Sequence, residues 1–123
     1  MTGKKILLVD DETDFVDVVR TRLEAHQYKV IPAYDGEEAL EKIKEEKPDL
    51  IILDIVLPKL NGFDVCRKLK IDDNYKDIPI IMLTAKFQKS DIEFGKAMGA
   101  DAYIVKPFEP EVLVEKMREL LKK

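Results

Sequence analysis

The sequence predicts an α/β domain built on a five-stranded parallel sheet with five helices on both faces, a doubly wound arrangement. Three observations point there. Five apolar runs are each too short for a helix; stretches of helical period separate them; and polar or charged residues stand where the runs stop. Strands that are apolar on both sides belong in a sheet covered on both faces, and parallel neighbours need the crossovers that intervening helices supply.

The first run, Lys5-Ile6-Leu7-Leu8-Val9, is rich in branched residues and stops at Asp10-Asp11-Glu12. Phe15, Val18, Val19 and Leu23 then recur at helical spacing, with Asp14, Asp17, Arg20 and Glu24 on the other side, so these four apolar residues are expected to lie on the sheet. Tyr28 to Ala33 is a weaker strand. Its Pro32 cannot donate to a ladder, which places the strand at an edge. Asp35-Gly36-Glu37-Glu38 opens a second helix in the manner of a cap, with Ala39, Leu40 and Ile43 facing inward.

Pro48-Asp49-Leu50-Ile51-Ile52-Leu53-Asp54 is the third strand, an apolar run that ends on a carboxylate. The loop from Ile55 to Gly62 leads into a helix carrying Val65, Cys66 and Leu69, and the polar stretch from Asp72 to Asp77 connects it to a fourth strand, Pro79 to Leu83, ending at Thr84. The next segment holds Phe94, Ala97 and Met98 before Gly99 stops a fourth helix. Ala102 to Val105 is the fifth strand and ends at Lys106-Pro107. Glu109-Pro110-Glu111 starts a fifth helix with acids and proline in its first turn and Leu113, Met117, Leu120 and Leu121 on its apolar face.

At 123 residues the chain is expected to be one domain, 1–123. It is 46% hydrophobic and 37% charged, with a net charge of −4 and basic residues interspersed among acidic ones, so no footprint for direct nucleic-acid binding is visible. The single Cys66 sits within apolar spacing and reads as a small core residue, and the lone His26 has no partner at metal-ligand spacing. No apolar run is long enough to span a membrane and no signal peptide is evident, so no membrane partner and a cytoplasmic location are expected.

What stands at the strand ends carries the chemistry. Asp54 alone could simply cap a turn, Lys106 could be a surface lysine, and Thr84 could cap the following helix. The ligand crevice of an open α/β sheet, however, lies outside the carboxyl ends of its strands, so Asp10, Asp11, Asp54, Thr84 and Lys106 are expected to converge. Carboxylates gathered in one place repel one another unless a cation neutralises them, and Mg²⁺ suits a set of oxygen donors. Mg²⁺ recruits phosphate, Lys106 offers a point charge and Thr84 a hydroxyl, and Asp54 can then act as a nucleophile that accepts a phosphoryl group.

These residues fall in motifs that closely resemble the receiver domain of bacterial two-component response regulators. The matching stretches are Val9-Asp10-Asp11, Leu53-Asp54, Leu57-Pro58 with Asn61-Gly62, Leu83-Thr84-Ala85 and Val105-Lys106-Pro107-Phe108, and the likeness runs from Lys4 to about Leu121. The resemblance implies a flavodoxin-like sheet of strand order 2-1-3-4-5. It further implies that Asp54 is the phosphoacceptor, Asp11 a direct Mg²⁺ ligand, Asp10 a ligand through water and the Val56 main-chain carbonyl a further one. Thr84 and Lys106 would contact phosphoryl oxygens, the Lys106-Pro107 bond would be cis, and Thr84 and Tyr103 would form a switch. Val56 and Lys86 stand where side chains of the family tune phosphate loss. The implied partners are a sensor histidine kinase and an output domain or target, met through the fourth helix, fifth strand and fifth helix, in a monomer or a phosphorylation-dependent dimer.

Three other readings compete. A small Mg²⁺-dependent phosphohydrolase of the haloacid-dehalogenase type also uses an Asp nucleophile but needs a second Asp two residues later, where Val56 stands. A nucleotide-binding domain needs a glycine-rich loop after the first strand, and Val9-Asp10-Asp11-Glu12 has no glycine. A pseudo-receiver that only binds partners would not need the full set of acids, Thr84 and Lys106.

Overall fold

The apolar run Leu50–Asp54 ends on a carboxylate, and all five of its residues are buried. The computed structural model describes residues 3–84, 93 and 99–122. Its strands are β1 (Lys5–Val9), β2 (Lys29–Ala33), β3 (Leu50–Asp54), β4 (Ile80–Thr84) and β5 (Ala102–Val105). They form one parallel sheet in the order β2-β1-β3-β4-β5. Pro32 lies in β2, which pairs only with β1 and so is an edge, where a missing N–H costs no ladder bond.

Helices α1 (Thr13–Ala25), α2 (Gly36–Glu46), α3 (Gly62–Lys70) and a C-terminal helix (Pro110–Leu121) connect and cover the strands. The expected fourth helix, with Phe94, Ala97 and Met98, lies outside the described residues. Among the described residues no helix is long and apolar enough to cross a membrane.

Strand alternation sorts the core into two layers. Ile6, Leu8, Leu50, Ile52, Ile81, Leu83 and Ile104 point to one side, where α1 contributes Val16, Val19 and Leu23 and the C-terminal helix Leu113, Val114 and Met117. Leu7, Val9, Ile51, Leu53, Ile80 and Met82 point to the other, against Ala39 and Ile43 of α2 and Val65, Cys66 and Leu69 of α3. Cys66 is fully buried, and burial pushes its thiol up to about 11, with Lys70 opposing and Asp101 reinforcing the shift. It is a packed apolar side chain, as its spacing suggests.

One helix face differs from expectation. Val18 is 61% exposed, while Val16 is fully buried in its place. At about 100° per residue, Val16, Val19 and Leu23 form one stripe and Val18 falls well to the side of it. Phe15 lies at the margin of the stripe, partly buried. Leu40 is likewise only partly buried, against the α2 and α3 layer. Replacing Ile52 with Ala is expected to cost about 3 kcal/mol of unfolding free energy, whereas Val18→Ala should change it by less than about 0.5 kcal/mol. Urea unfolding of the two variants checks this, and comparable losses would contradict the assigned α1 face.

Candidate functional site

Parallel register brings the ends of β1 and β3 side by side, since Val9 pairs with Leu53. Alternation then carries each charged group to the same side: Ile6, Leu8 and Asp10 follow one another on β1, Leu50, Ile52 and Asp54 on β3, and Ile104 and Lys106 at the end of β5. The site is thus the polar continuation of the layer under α1. Asp10 is fully buried and Asp54 is 7% exposed.

Lys106 ties the group together. Its Nζ donates to Asp10 Oδ2 at 2.7 Å, to Glu12 Oε1 at 3.2 Å and to Asp54 Oδ2 at 3.4 Å. The other oxygens meet the backbone: Asp10 Oδ1 accepts from the Glu12 N–H at 2.9 Å, and Asp54 Oδ1 from the Val56 N–H at 3.4 Å. The Lys106 Nζ also lies 4.2 Å from the centroid of the Phe15 ring, which meets Phe108 edge to face at 6.0 Å.

The loop behind Asp54 is pinned by two glycines. The Gly62 N–H donates to the Ile55 carbonyl at 2.8 Å, and a Cβ at Gly62 would stand 2.2 Å from the Asp54 carbonyl oxygen. A Cβ at Gly36 would meet the Leu60 carbonyl oxygen at 2.2 Å. Both contacts are with backbone, so any side chain would displace the loop. Asn61 closes it by accepting from the Asp64 N–H at 3.0 Å as the cap of α3, and Asp35 caps α2 by accepting from the Glu38 N–H at 2.8 Å.

Electrostatics follow from this packing. Burial, and then the neighbouring Asp10 charge, push the Asp54 carboxyl up from 3.8 to about 6, against the opposing pull of Lys106 and the Val56 N–H. Burial pulls Lys106 down, but hydrogen bonding to Asp10, the charges of Asp54 and Asp10, and the bond to Glu12 together hold it above its ordinary value. Carboxylate oxygens of Asp10, Glu12 and Asp54 come within 4.8 Å of one another. Three carboxylates against one ammonium leave an excess of negative charge on hard oxygen donors, and that donor set fits a divalent cation such as Mg²⁺.

Of the residues singled out in the sequence, Asp10, Asp54 and Lys106 are brought together. Asp11 is exposed and is not one of the three clustered acids, the third of which is Glu12. The Val56 side chain is 76% exposed. Thr84 ends β4 opposite Val105, one residue beyond Leu83, the partner of Asp54. The Thr84 side chain and all of Lys86 lie outside the described residues. Tyr103 packs, partly buried, against the α2 and α3 layer, with its hydroxyl oxygen buried. The Lys106-Pro107 peptide is cis. Glu12 and Phe15 are members of the site that the sequence did not single out. Glu12 sits directly after the acid pair, which is a usable signal; Phe15 reads as one more core residue of α1.

Residues 6–118 match the family model of the response regulator receiver domain. The chain belongs to this family. It is therefore a phosphorylation-switched signalling domain of two-component systems and not a turnover enzyme. Among curated proteins it is 47% identical over 121 residues to the alkaline phosphatase synthesis transcriptional regulatory protein PhoP of Bacillus subtilis, covering 98% of this chain and 50% of that one. It is 42% identical over 123 residues to the phosphate regulon transcriptional regulatory protein PhoB of Pseudomonas aeruginosa, covering 100% of this chain and 54% of that one. The chain thus spans about half the length of these relatives. Among solved structures, the chemotaxis response regulator CheY4 of Vibrio cholerae superposes with a TM-score of 0.91 at 37% identity, covering 98% of this chain and 100% of that one. The receiver fold accounts for the strand order, and with it for the meeting of β1, β3 and β5 at one rim.

The raised Asp54 value has a consequence for stability. Because the folded carboxyl holds its proton up to about 6 and an unfolded one only to 3.8, the native state binds more protons in that window. Stability therefore falls as pH rises from about 4 to about 6, and the deficit persists above it. In chelator-treated buffer at pH 7.5, Asp54→Asn should be more stable than the wild type by on the order of 2 kcal/mol, with the difference vanishing below about pH 4. Thermal melts across this range test it, and equal midpoints at pH 7.5 would contradict it.

Proposed function

We propose that Asp54 is the phosphoacceptor of this receiver and that a sensor histidine kinase is the donor. The observation that carries the proposal is the placement of a buried carboxylate at the end of β3, held by the Val56 N–H and facing the Lys106 ammonium. A fixed carboxylate oxygen can attack phosphorus without first being oriented, and Lys106 can follow the charge that develops on the phosphoryl oxygens. The bond to the donor breaks as the bond to the Asp54 oxygen forms, giving an acyl phosphate. With a folded value near 6, Asp54 is mostly ionised at neutral pH and available as a nucleophile.

Mg²⁺ is the proposed cofactor. Asp10 and Asp54 with the Glu12 carboxylate beside them would hold it, together with Asp11 and the Val56 carbonyl as the family pattern assigns. The ion would supply neutralising charge to the phosphoryl group and to the acids. Thr84 and Lys106 would contact the phosphoryl oxygens, and Thr84 and Tyr103 would report the change to the surface made by the segment between β4 and β5, β5 and the C-terminal helix. A new dianionic group favours whichever arrangement supplies it with donors. That surface would act on an output domain or a separate target, with sensor kinase and output as the two partners, in a monomer or a dimer formed on phosphorylation. The net charge of −4 argues against direct binding of nucleic acid by this domain.

Incubation with acetyl phosphate and Mg²⁺, followed by intact-mass measurement, should show the gain of one phosphoryl group in the wild type and none in Asp54→Asn. An equal gain in both would refute the assignment. Val56, apolar and exposed, and Lys86 are the proposed modulators of phosphate loss. Because Val56 cannot orient water, self-dephosphorylation should be slow, and Val56→Asn should lose phosphate faster than Val56→Ala. The opposite order in a time course of phosphorylated protein would overturn that role.

A further inference from the structure

Lys106 is the one described cation of the site, and besides its three carboxylate partners it has an aromatic neighbour. The ammonium lies over the ring of Phe15, 4.2 Å from Nζ to the centroid. This is the range in which a ring quadrupole attracts a cation, and the attraction is stronger where water is thinned, as it is at a lysine whose side chain is 13% exposed. Phe15 does not stand alone. Its ring meets Phe108 at 87° between planes with centroids 6.0 Å apart, and both rings, partly buried, pack against the core layer that α1 and the C-terminal helix cover. The ring is therefore held by the core on one side while it meets the ammonium on the other.

The alternative neighbour for that side of Lys106 would be water. Water would compete with the carboxylates for the three N–H donors and let the flexible stem swing outward. An aromatic face accepts no strong hydrogen bond, so it leaves all three donors aimed at Asp10, Glu12 and Asp54. An aliphatic side chain of similar size would exclude water comparably but lacks the quadrupole.

We infer that Phe15 is a positioning residue for phosphoryl transfer: its ring, braced by Phe108, holds the Lys106 ammonium over Asp54. The inference rests on the proposed role of Asp54 and Lys106. It makes α1, besides covering the sheet, a determinant of how fast the domain accepts phosphate.

The test is the rate of phosphoryl uptake from acetyl phosphate with Mg²⁺, followed by intact mass for the full chain. Phe15→Leu should slow uptake about fivefold, the rate equivalent of about 1 kcal/mol. Phe15→Tyr, which keeps the ring, should stay within about twofold of the wild type. The deciding arm is a double-mutant cycle: in a Lys106→Met background, followed at high acetyl phosphate over hours, Phe15→Leu should have little further effect. The same fivefold loss with and without Lys106 would mean that Phe15 acts only through packing and would overturn the inference while leaving Asp54 as acceptor. Equal slowing by Phe15→Tyr and Phe15→Leu, with unchanged thermal midpoints, would overturn it too. A wild-type protein that takes up no phosphoryl group would instead remove the phosphoacceptor role on which the inference rests.

Discussion

A lysine ammonium shared among three carboxylates is the interaction on which the functional rim depends. Gathering Asp10, Glu12 and Asp54 within 4.8 Å would be strongly unfavourable for bare charges, more so because Asp10 is fully buried and Asp54 nearly so. Lys106 offsets only part of that cost: burial, and then the Asp10 charge, still push the Asp54 carboxyl up to about 6. The residue of negative charge suits the proposed role of the site, acceptance of a phosphoryl group with a divalent cation beside it. A fully neutralised site would be more stable and less receptive.

The scaffold makes this arrangement possible through register and alternation. β3 and β1 are central strands whose apolar side chains fill both layers, so their ends cannot shift without moving buried leucines and isoleucines to the wrong face. The acids inherit that rigidity. Gly36 and Gly62 extend it into the loop after Asp54, because backbone carbonyls occupy the space where their side chains would be. At the other end of the sheet, Asp101 accepts from the Ile80 N–H and from Lys70, and Lys70 also reaches the carbonyls of Lys76 and Ile78. That network aligns the starts of β4 and β5, and so the position at which β5 delivers Lys106.

Two residues show where sequence patterns stop being informative. Val18 has the same chemistry as Val16, and a pattern of apolar residues along α1 does not say which of them the sheet will meet; the way the helix lies over β1 and β2 decides it. Phe15 is read from sequence as core, and it is partly that, yet its ring also meets a lysine 91 positions further along the chain (106 minus 15). No local pattern encodes such a contact.

What the sequence determined by itself is the class of fold, the edge position of β2, the cap of α2, and the identity of Asp10, Asp54 and Lys106 as strand-end groups. These depend on local chemistry: apolar runs, proline without an N–H, Asp as a cap, and charges where hydrophobic runs stop. Only the tertiary structure decided that Glu12 rather than Asp11 closes the acidic cluster, that Val16 rather than Val18 faces the core, and that Phe15 lies against Lys106. Those outcomes depend on the direction in which the chain leaves β1 and on the angle at which α1 crosses the sheet, quantities fixed by packing between distant segments and not by any one of them.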